Sequence, residues 1–117
     1  MTDRDLVARL ELVVAIPGVR AALIAAVDDG LVVHEAVMGD LAAEDVAALV
    51  AAFIRRGTEL AIGVTSGPPN LVQLMATNGI VVAAAGSEPL WLIAVASPDT
   101  ELGRLRLLVG DLAGQLK

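Results

Sequence analysis

The sequence predicts an α+β domain in which helices cover both faces of a five-stranded antiparallel sheet. Stretches with apolar residues every three or four positions alternate with short apolar runs bounded by Gly, Pro, Asn or Asp, as expected for helices and strands. The order of these stretches is α-β-β-α-β-β-β-α. The dipeptide Asn78-Gly79 separates two of the runs and is the strongest hairpin signal in the chain. Most runs are apolar at successive positions, which predicts strands buried on both faces.

The N-terminal third is predicted to form a helix followed by a β-hairpin. The helix covers Thr2–Val14, because a threonine and an aspartate three residues later have the spacing of a capping box. Apolar runs then predict strands at Val19–Val27 and Leu31–Ala36. Between them, Asp28-Asp29-Gly30 is typical of a tight turn in which the glycine takes a positive φ.

A long amphipathic helix is predicted at the centre of the chain, from Leu41 to Ile62. Asp40 can cap its start, and Gly63 is its expected end. Residues at spacings of three and four define the side that we expect to face the sheet. They are Val46, Leu49, Val50, Phe53, Gly57, Leu60 and Ala61.

The other side of this helix carries small apolar residues where an exposed helix usually carries Lys and Glu. These residues are Ala47, Ala48, Ala51 and Ala52. We expect this side to pack against another subunit. The alternative is that the alanines reflect only an alanine-rich composition, since Ala has the highest helix propensity.

Three more strands and a last helix are predicted in the C-terminal half. The strands cover Asn70–Thr77, Ile80–Ala85 and Leu90–Ala96, and the helix covers Glu101–Leu116. We expect the first and last helices to share one face of the sheet and the central helix to cover the other. A helix is about 10 Å wide and five strands span about 20 Å, so a second copy of the central helix is needed to complete the cover. We expect residues 1–117 to form a single domain.

Composition excludes several classes of function. The net charge of −6 argues against general nucleic-acid binding, and Phe53 and Trp91 are the only aromatic residues, too few for a base-stacking surface. The hydrophobic fraction of 56% is high, yet the apolar run Val46–Ile54 is much shorter than the roughly 20 residues that span a membrane. The segment Met1–Arg9 is too charged for a signal peptide. We therefore expect a cytoplasmic protein that hides its surplus apolar surface in a subunit interface.

The sequence predicts no catalytic, cofactor or metal site. It has no phosphate-binding loop of the G-x-x-x-x-G-K-[ST] type, and His34 is the one histidine, with no cysteine to complete a metal site or triad. Trp91 is expected in the core, with the edge of an interface as the alternative. Arg55 and Arg56 are candidates for contact with a protein partner. Two alternatives are an arginine finger that acts on GTP hydrolysis in another protein and an exposed ion pair with Glu59.

Several motifs, taken in order, cover nearly the whole chain and match one known family. They are Ile16-Pro17-Gly18-Val19 with the turn Asp28–Val33, the alanine-rich central helix, Leu90–Ala96, Pro98-Asp99 and Leu102–Arg106. With these motifs the chain resembles a roadblock / dynein light chain domain, the family that includes the bacterial gliding-motility regulator acting on a Ras-like GTPase. One departure is Glu101, where family members often have Asn before a Leu-Gly pair, and it affects only the cap of the last helix.

The resemblance implies the profilin-like roadblock fold and a homodimer. In that family the third strand pairs with its symmetry mate, and the two central helices lie side by side. The interface that we expect for the dimer or a partner comprises Ala47, Ala48, Ala51, Ala52, Arg55, Arg56, Glu59, Leu71, Gln73 and Met75. The implied function is that of a non-catalytic homodimer, without cofactor, that activates or binds a small Ras-like GTPase. The alternative is a structural adaptor or dimerisation module without effect on GTP hydrolysis.

Overall fold

The computed structural model describes residues 2–65 and 67–116, and over these residues it has three helices and five strands in the predicted order. The helices are α1 (Asp3–Val14), α2 (Ala43–Val64) and α3 (Leu102–Ala113). The strands are β1 (Val19–Ala26), β2 (Leu31–Val37), β3 (Leu71–Ala76), β4 (Gly79–Ala85) and β5 (Leu90–Ala96). The predicted α+β class is confirmed.

The strands form one antiparallel sheet with the order β2-β1-β5-β4-β3. β5 is the central strand, with β1 on one side and β4 on the other, and Leu23 of β1 pairs with Ile93 of β5. Both side chains are fully buried. The sheet therefore places β2 and β3 at its margins in the described part of the chain, and β3 has β4 as its neighbour there.

Helices cover both faces of the sheet in the predicted arrangement. On one face α1 and α3 enclose a core that includes Leu10, Ile24, Leu92, Leu105 and Val109. On the other face α2 encloses a second core that includes Leu23, Ala47, Val50, Ile54 and Ile93. Trp91 belongs to this second core and is 7% exposed, which confirms its predicted burial.

The predicted capping box starts α1. The Asp5 N–H donates to Oγ1 of Thr2, and the Thr2 N–H donates to Oδ2 of Asp5, each over 3.2 Å. Hydrogen bonding to the Asp5 carboxyl by the Thr2 backbone N–H, and after it by the Thr2 hydroxyl, lowers the pKa of that carboxyl because it favours the charged form. Two orphan backbone donors at the helix start are satisfied in this way.

The ends of α2 differ from the prediction. The helix begins after Ala42, whose methyl group cannot accept a capping bond, and not after Asp40. It also continues through Gly63 to Val64, because Gly63 does not take the positive φ with which a glycine usually ends a helix. The Thr65 N–H closes the last turn on the carbonyl of Ala61 over 2.8 Å.

The side of α2 that faces the sheet is rotated by about a quarter of a turn from the predicted one. Ala47 and Ala51 are 0% and 1% exposed, whereas Leu49 and Leu60 are 72% and 65% exposed. Phe53 is half-buried. The expected outward position of the two alanines is therefore wrong, as is the expected inward position of the two leucines.

In this orientation α2 approaches the β1–β2 hairpin at Gly30. At Gly30, which has a φ of +73°, an added Cβ would lie 3.5 Å from Cα of Ala48. This distance is an ordinary van der Waals contact between backbones, so α2 lies directly against the hairpin at this turn. Along the same part of α2, Ala47 and Ala51 face the sheet and the larger Leu49 points away from it.

Candidate functional site

The outward side of α2 carries an exposed apolar stripe formed by Leu49, Phe53 and Leu60, which we call the α2 stripe. These residues are four and seven positions apart, so they share one side of the helix. Both leucines are more than half exposed. Beside them lie Ala48 and Ala52, which are also exposed. A contiguous exposed apolar surface of this kind is typical of a protein interface.

The sheet is incompletely covered on the same side of the molecule. α2 packs mainly on β1 and β2 and leaves the half of the sheet near β3 more open. Leu74 of β3 is 49% exposed, and its partner Val81 of β4 is only partly buried at the border of the core beneath α2. The geometric expectation that one helix is too narrow for this face agrees with that exposure.

Strand β3 brings the remaining predicted interface residues to the sheet margin. Leu71 packs partly against the core beneath α1 and α3, and Gln73 is half-buried. Met75 pairs with Ile80, a residue of that same core, and is 62% exposed. These three β3 side chains therefore lie on the face away from α2, so on the α2 side β3 offers Leu74 and its backbone edge.

The predicted interface set therefore does not form one surface. Ala47 and Ala51 lie inside the chain's own core, while Ala48, Ala52, Arg55, Arg56 and Glu59 are exposed. The sequence interpretation missed the exposed leucines Leu49, Leu60 and Leu74. The available signal was the width of the apolar arc on the central helix, which exceeds what one sheet contact can bury.

The two arginines of α2 make different contacts. Nη1 of Arg56 lies 3.0 Å from Oε2 of Glu59, and both side chains are largely exposed, so the predicted ion pair is present. Nη1 of Arg55 donates instead to the carbonyl of Val27 over 3.3 Å. An exposed pair three residues apart on a helix contributes only about 0.3–0.5 kcal/mol, so the Arg56 guanidinium remains available to a partner.

A cleft of about 560 Å³ opens between the C-terminal half of α2 and the loops at one end of the sheet. Its floor includes Ile54 and Trp91. Residues from four segments line it: Val27 and Asp28 after β1; Ile54, Arg55, Thr58 and Glu59 of α2; Pro68 and Pro69 before β3; and Ala85, Gly86, Glu88, Pro89 and Trp91 from the end of β4 to the start of β5. The sequence interpretation did not anticipate this cleft, because four segments distant in sequence form it.

The described residues give no sign of a metal or catalytic centre. Over residues 2–65 and 67–116 there is no group of three or more His, Cys, Asp or Glu side chains that could hold a metal ion. His34 lies with Nε2 3.3 Å from Oδ1 of Asp3, which links β2 to α1. Within the same residues, no helix has the length and apolar character that crossing a membrane requires.

No protein family model and no curated protein matches this chain by sequence. Its structure, in contrast, is similar to solved roadblock proteins. A roadblock/LC7 domain from Streptomyces avermitilis superimposes with a TM-score of 0.82 at 18% identity, over 91% of this chain and 89% of that one. The gliding protein MglB from Thermus thermophilus superimposes with a TM-score of 0.79 at 18% identity, over 97% of this chain and 91% of that one. An MglB with a tetrameric arrangement superimposes with a TM-score of 0.81 at 20% identity, over 91% of this chain and 79% of that one.

These similarities define the class of the protein at the level of the fold. Coverage is nearly complete on both sides, so the whole order of helices and strands is shared and not only one motif. The suspected resemblance to roadblock / dynein light chain domains is therefore confirmed as a shared fold. At identities of 20% or less, the likeness carries no further property from those proteins to this one.

Proposed function

We propose that residues 1–117 act as one roadblock domain, that two copies form a homodimer, and that the dimer regulates a small Ras-like GTPase in the cytoplasm. In this proposal the protein catalyses no reaction itself and needs no cofactor. One observation carries it: the α2 stripe and the open half of the sheet near β3 lie on the same side of the molecule.

Self-association follows from the need to cover this apolar surface. A partner's α2, laid beside the first, would bury Leu49, Phe53 and Leu60 against equivalent residues and cover Leu74. Each leucine that becomes buried contributes roughly 1.5–3 kcal/mol, so a symmetric pair of stripes offsets much of the entropy cost of association. The free backbone edge of β3 would at the same time gain a paired strand. The tetrameric arrangement of one similar MglB supports self-association of this fold.

The outermost residues of α2 would remain open in such a dimer. Ala48, Ala52, Arg56 and Glu59 lie away from the sheet and beside the α2 stripe. Small side chains permit close approach of a second protein, and the Arg56–Glu59 pair provides charge for orientation at the rim of the contact. We assign the contact with the GTPase to this surface.

Hydrolysis and binding assays test the function directly. Small Ras-like GTPases from the same organism are loaded with GTP and mixed with the protein, and both complex formation and phosphate release are followed. We expect one of them to form a complex that Ala52→Arg weakens, with a changed rate of hydrolysis. Stable binding with an unchanged rate would favour the structural adaptor, and no binding to any of these GTPases would refute the regulator.

A further inference from the structure

The cleft at the C-terminal half of α2 has the composition of a peptide-binding groove. Ile54 and Trp91 give it an apolar floor, and Pro68, Pro69 and Pro89 form stiff walls. Its volume of about 560 Å³ lies within the range of roughly 300–1,000 Å³ that is typical of small-molecule sites, which is ample for one side chain. An aliphatic side chain could therefore insert between α2 and the loops.

The rim of this cleft is acidic. Its lining holds the carboxylates of Asp28, Glu59 and Glu88 and one guanidinium, that of Arg55. Glu59 is paired with Arg56, whereas Asp28 and Glu88 make no ion pair within residues 2–65 and 67–116. Both of these carboxylates are exposed, so they can attract cationic groups of a partner.

The cleft and the α2 stripe lie on opposite flanks of the helix. Ile54, Arg55 and Thr58 line the cleft, and with 3.6 residues per turn they point about half a turn away from Leu49 and Leu60. A second copy seated on the α2 stripe would therefore leave the cleft open. Of the residues that line the cleft, Glu59 alone also belongs to the surface assigned to the GTPase, whereas Ile54, Trp91, Asp28 and Glu88 do not.

We propose that this cleft binds a segment of a partner protein in which an aliphatic anchor is flanked by Lys or Arg. The anchor would contact Ile54 and Trp91, and the basic residues would pair with Asp28 and Glu88. The charge of the rim selects a basic segment over an acidic one, and the apolar floor selects an aliphatic anchor over a purely charged segment.

Trp91 provides a reporter for this site because it is the chain's one tryptophan and the chain has no tyrosine. Three short blocked peptides without aromatic residues serve as probes: two central leucines flanked by arginines, the same leucines flanked by glutamates, and two glycines flanked by arginines. Each is titrated into the full chain while Trp91 emission is followed. We expect saturable binding of the arginine–leucine peptide, weakened by added salt.

Two double variants locate the binding. Asp28→Lys/Glu88→Lys should weaken binding of the arginine–leucine peptide on the order of tenfold, because two exposed carboxylates that attract its arginines become ammonium groups that repel them. Glu11→Lys/Asp111→Lys makes the same charge change on α1 and α3, on the face of the sheet opposite α2. It should leave the affinity for the arginine–leucine peptide unchanged. Circular dichroism confirms folding, and the neutral Asp28→Asn/Glu88→Gln replaces the lysine variant if that variant is unfolded.

Three results would overturn the proposal. They are no saturable change of Trp91 emission with the arginine–leucine peptide, equal binding of either of the other two peptides, and an equal loss of affinity in the control variant at Glu11 and Asp111.

Discussion

Gly57 of α2 lies directly against Val72 of β3: a Cβ added at Gly57 would be 3.6 Å from Cγ1 of Val72. This distance is an ordinary van der Waals contact, so the position has room for a methyl group. The contact also shows where the C-terminal half of α2 reaches the strand at the sheet margin.

Gly57→Ala should therefore stabilise the protein. The change removes a flexible residue from a helix interior, which is worth about 0.5–1 kcal/mol, and the new methyl group gains contact with Val72. Urea unfolding at one fixed protein concentration measures the difference in the free energy of unfolding.

Gly86→Ala is the matched control for this substitution. At Gly86 an added Cβ would lie 2.8 Å from the carbonyl oxygen of Ala113, so the backbone must shift and the protein should lose stability. Equal effects of the two substitutions would contradict the close approach of α3 at Gly86.

The rotation of α2 predicts opposite outcomes for one substitution at two nearby positions. Ala47→Asp places a charge in the core beneath α2, where it has no partner, and should cost several kcal/mol, enough to unfold the chain. Leu49→Asp should leave a folded protein with weaker self-association, because Leu49 is 72% exposed in the single chain. Circular dichroism and sedimentation velocity distinguish the two results.

If Leu49→Asp sediments with the mass of the unmodified protein and both are dimers, the α2 stripe is not the dimer contact. If the unmodified protein is a monomer at micromolar concentration, self-association itself is excluded.

The capping box predicts a dependence on pH at the start of α1. The pKa of Asp5 is lower in the folded chain than its ordinary value of 3.8. The stabilisation that the charged carboxylate gives to the folded chain is therefore complete above pH 3.8 and is lost as the pH falls through the folded pKa. Thr2→Ala keeps the Thr2 backbone N–H, the larger cause of the lowered pKa, but removes the hydroxyl and should raise the pKa of Asp5 part of the way toward 3.8. Carboxyl NMR titration measures both values, and an unchanged pKa in the variant would contradict a contribution from the hydroxyl.

The Arg56–Glu59 pair predicts a test of the arginine-finger alternative. Arg56→Ala should change the free energy of unfolding by less than about 1 kcal/mol, because the pair is exposed. If the protein stimulates a GTPase by reshaping the site of that enzyme, the variant should retain stimulation and show only weaker binding. Loss of more than a thousandfold in rate at saturating protein is the signature of a finger and would refute this expectation.

Local patterns were sufficient to predict most of the architecture. The capping box of α1, the hairpin between β3 and β4 and the burial of Trp91 each depend on residues close together in sequence or on strong hydrophobicity. The turn of that hairpin, predicted at Asn78-Gly79, lies one residue earlier at Thr77-Asn78, because Ala76 pairs with Gly79. The shared roadblock fold could also be predicted, since ordered motifs covered nearly the whole chain. The cleft could not, because Asp28, Glu59 and Glu88 converge only when the strands are placed.

By itself, the sequence determined the order of the elements and the need for helices on both faces of the sheet, since hydrophobic periodicity is a local property of the chain. Tertiary structure alone decided which side of α2 faces inward. The apolar arc of α2 includes both Ala47 and Leu49, and periodicity allows either to face the sheet. In the folded chain the alanine is buried and the leucine is exposed, because packing is set by volumes contributed from distant parts of the chain.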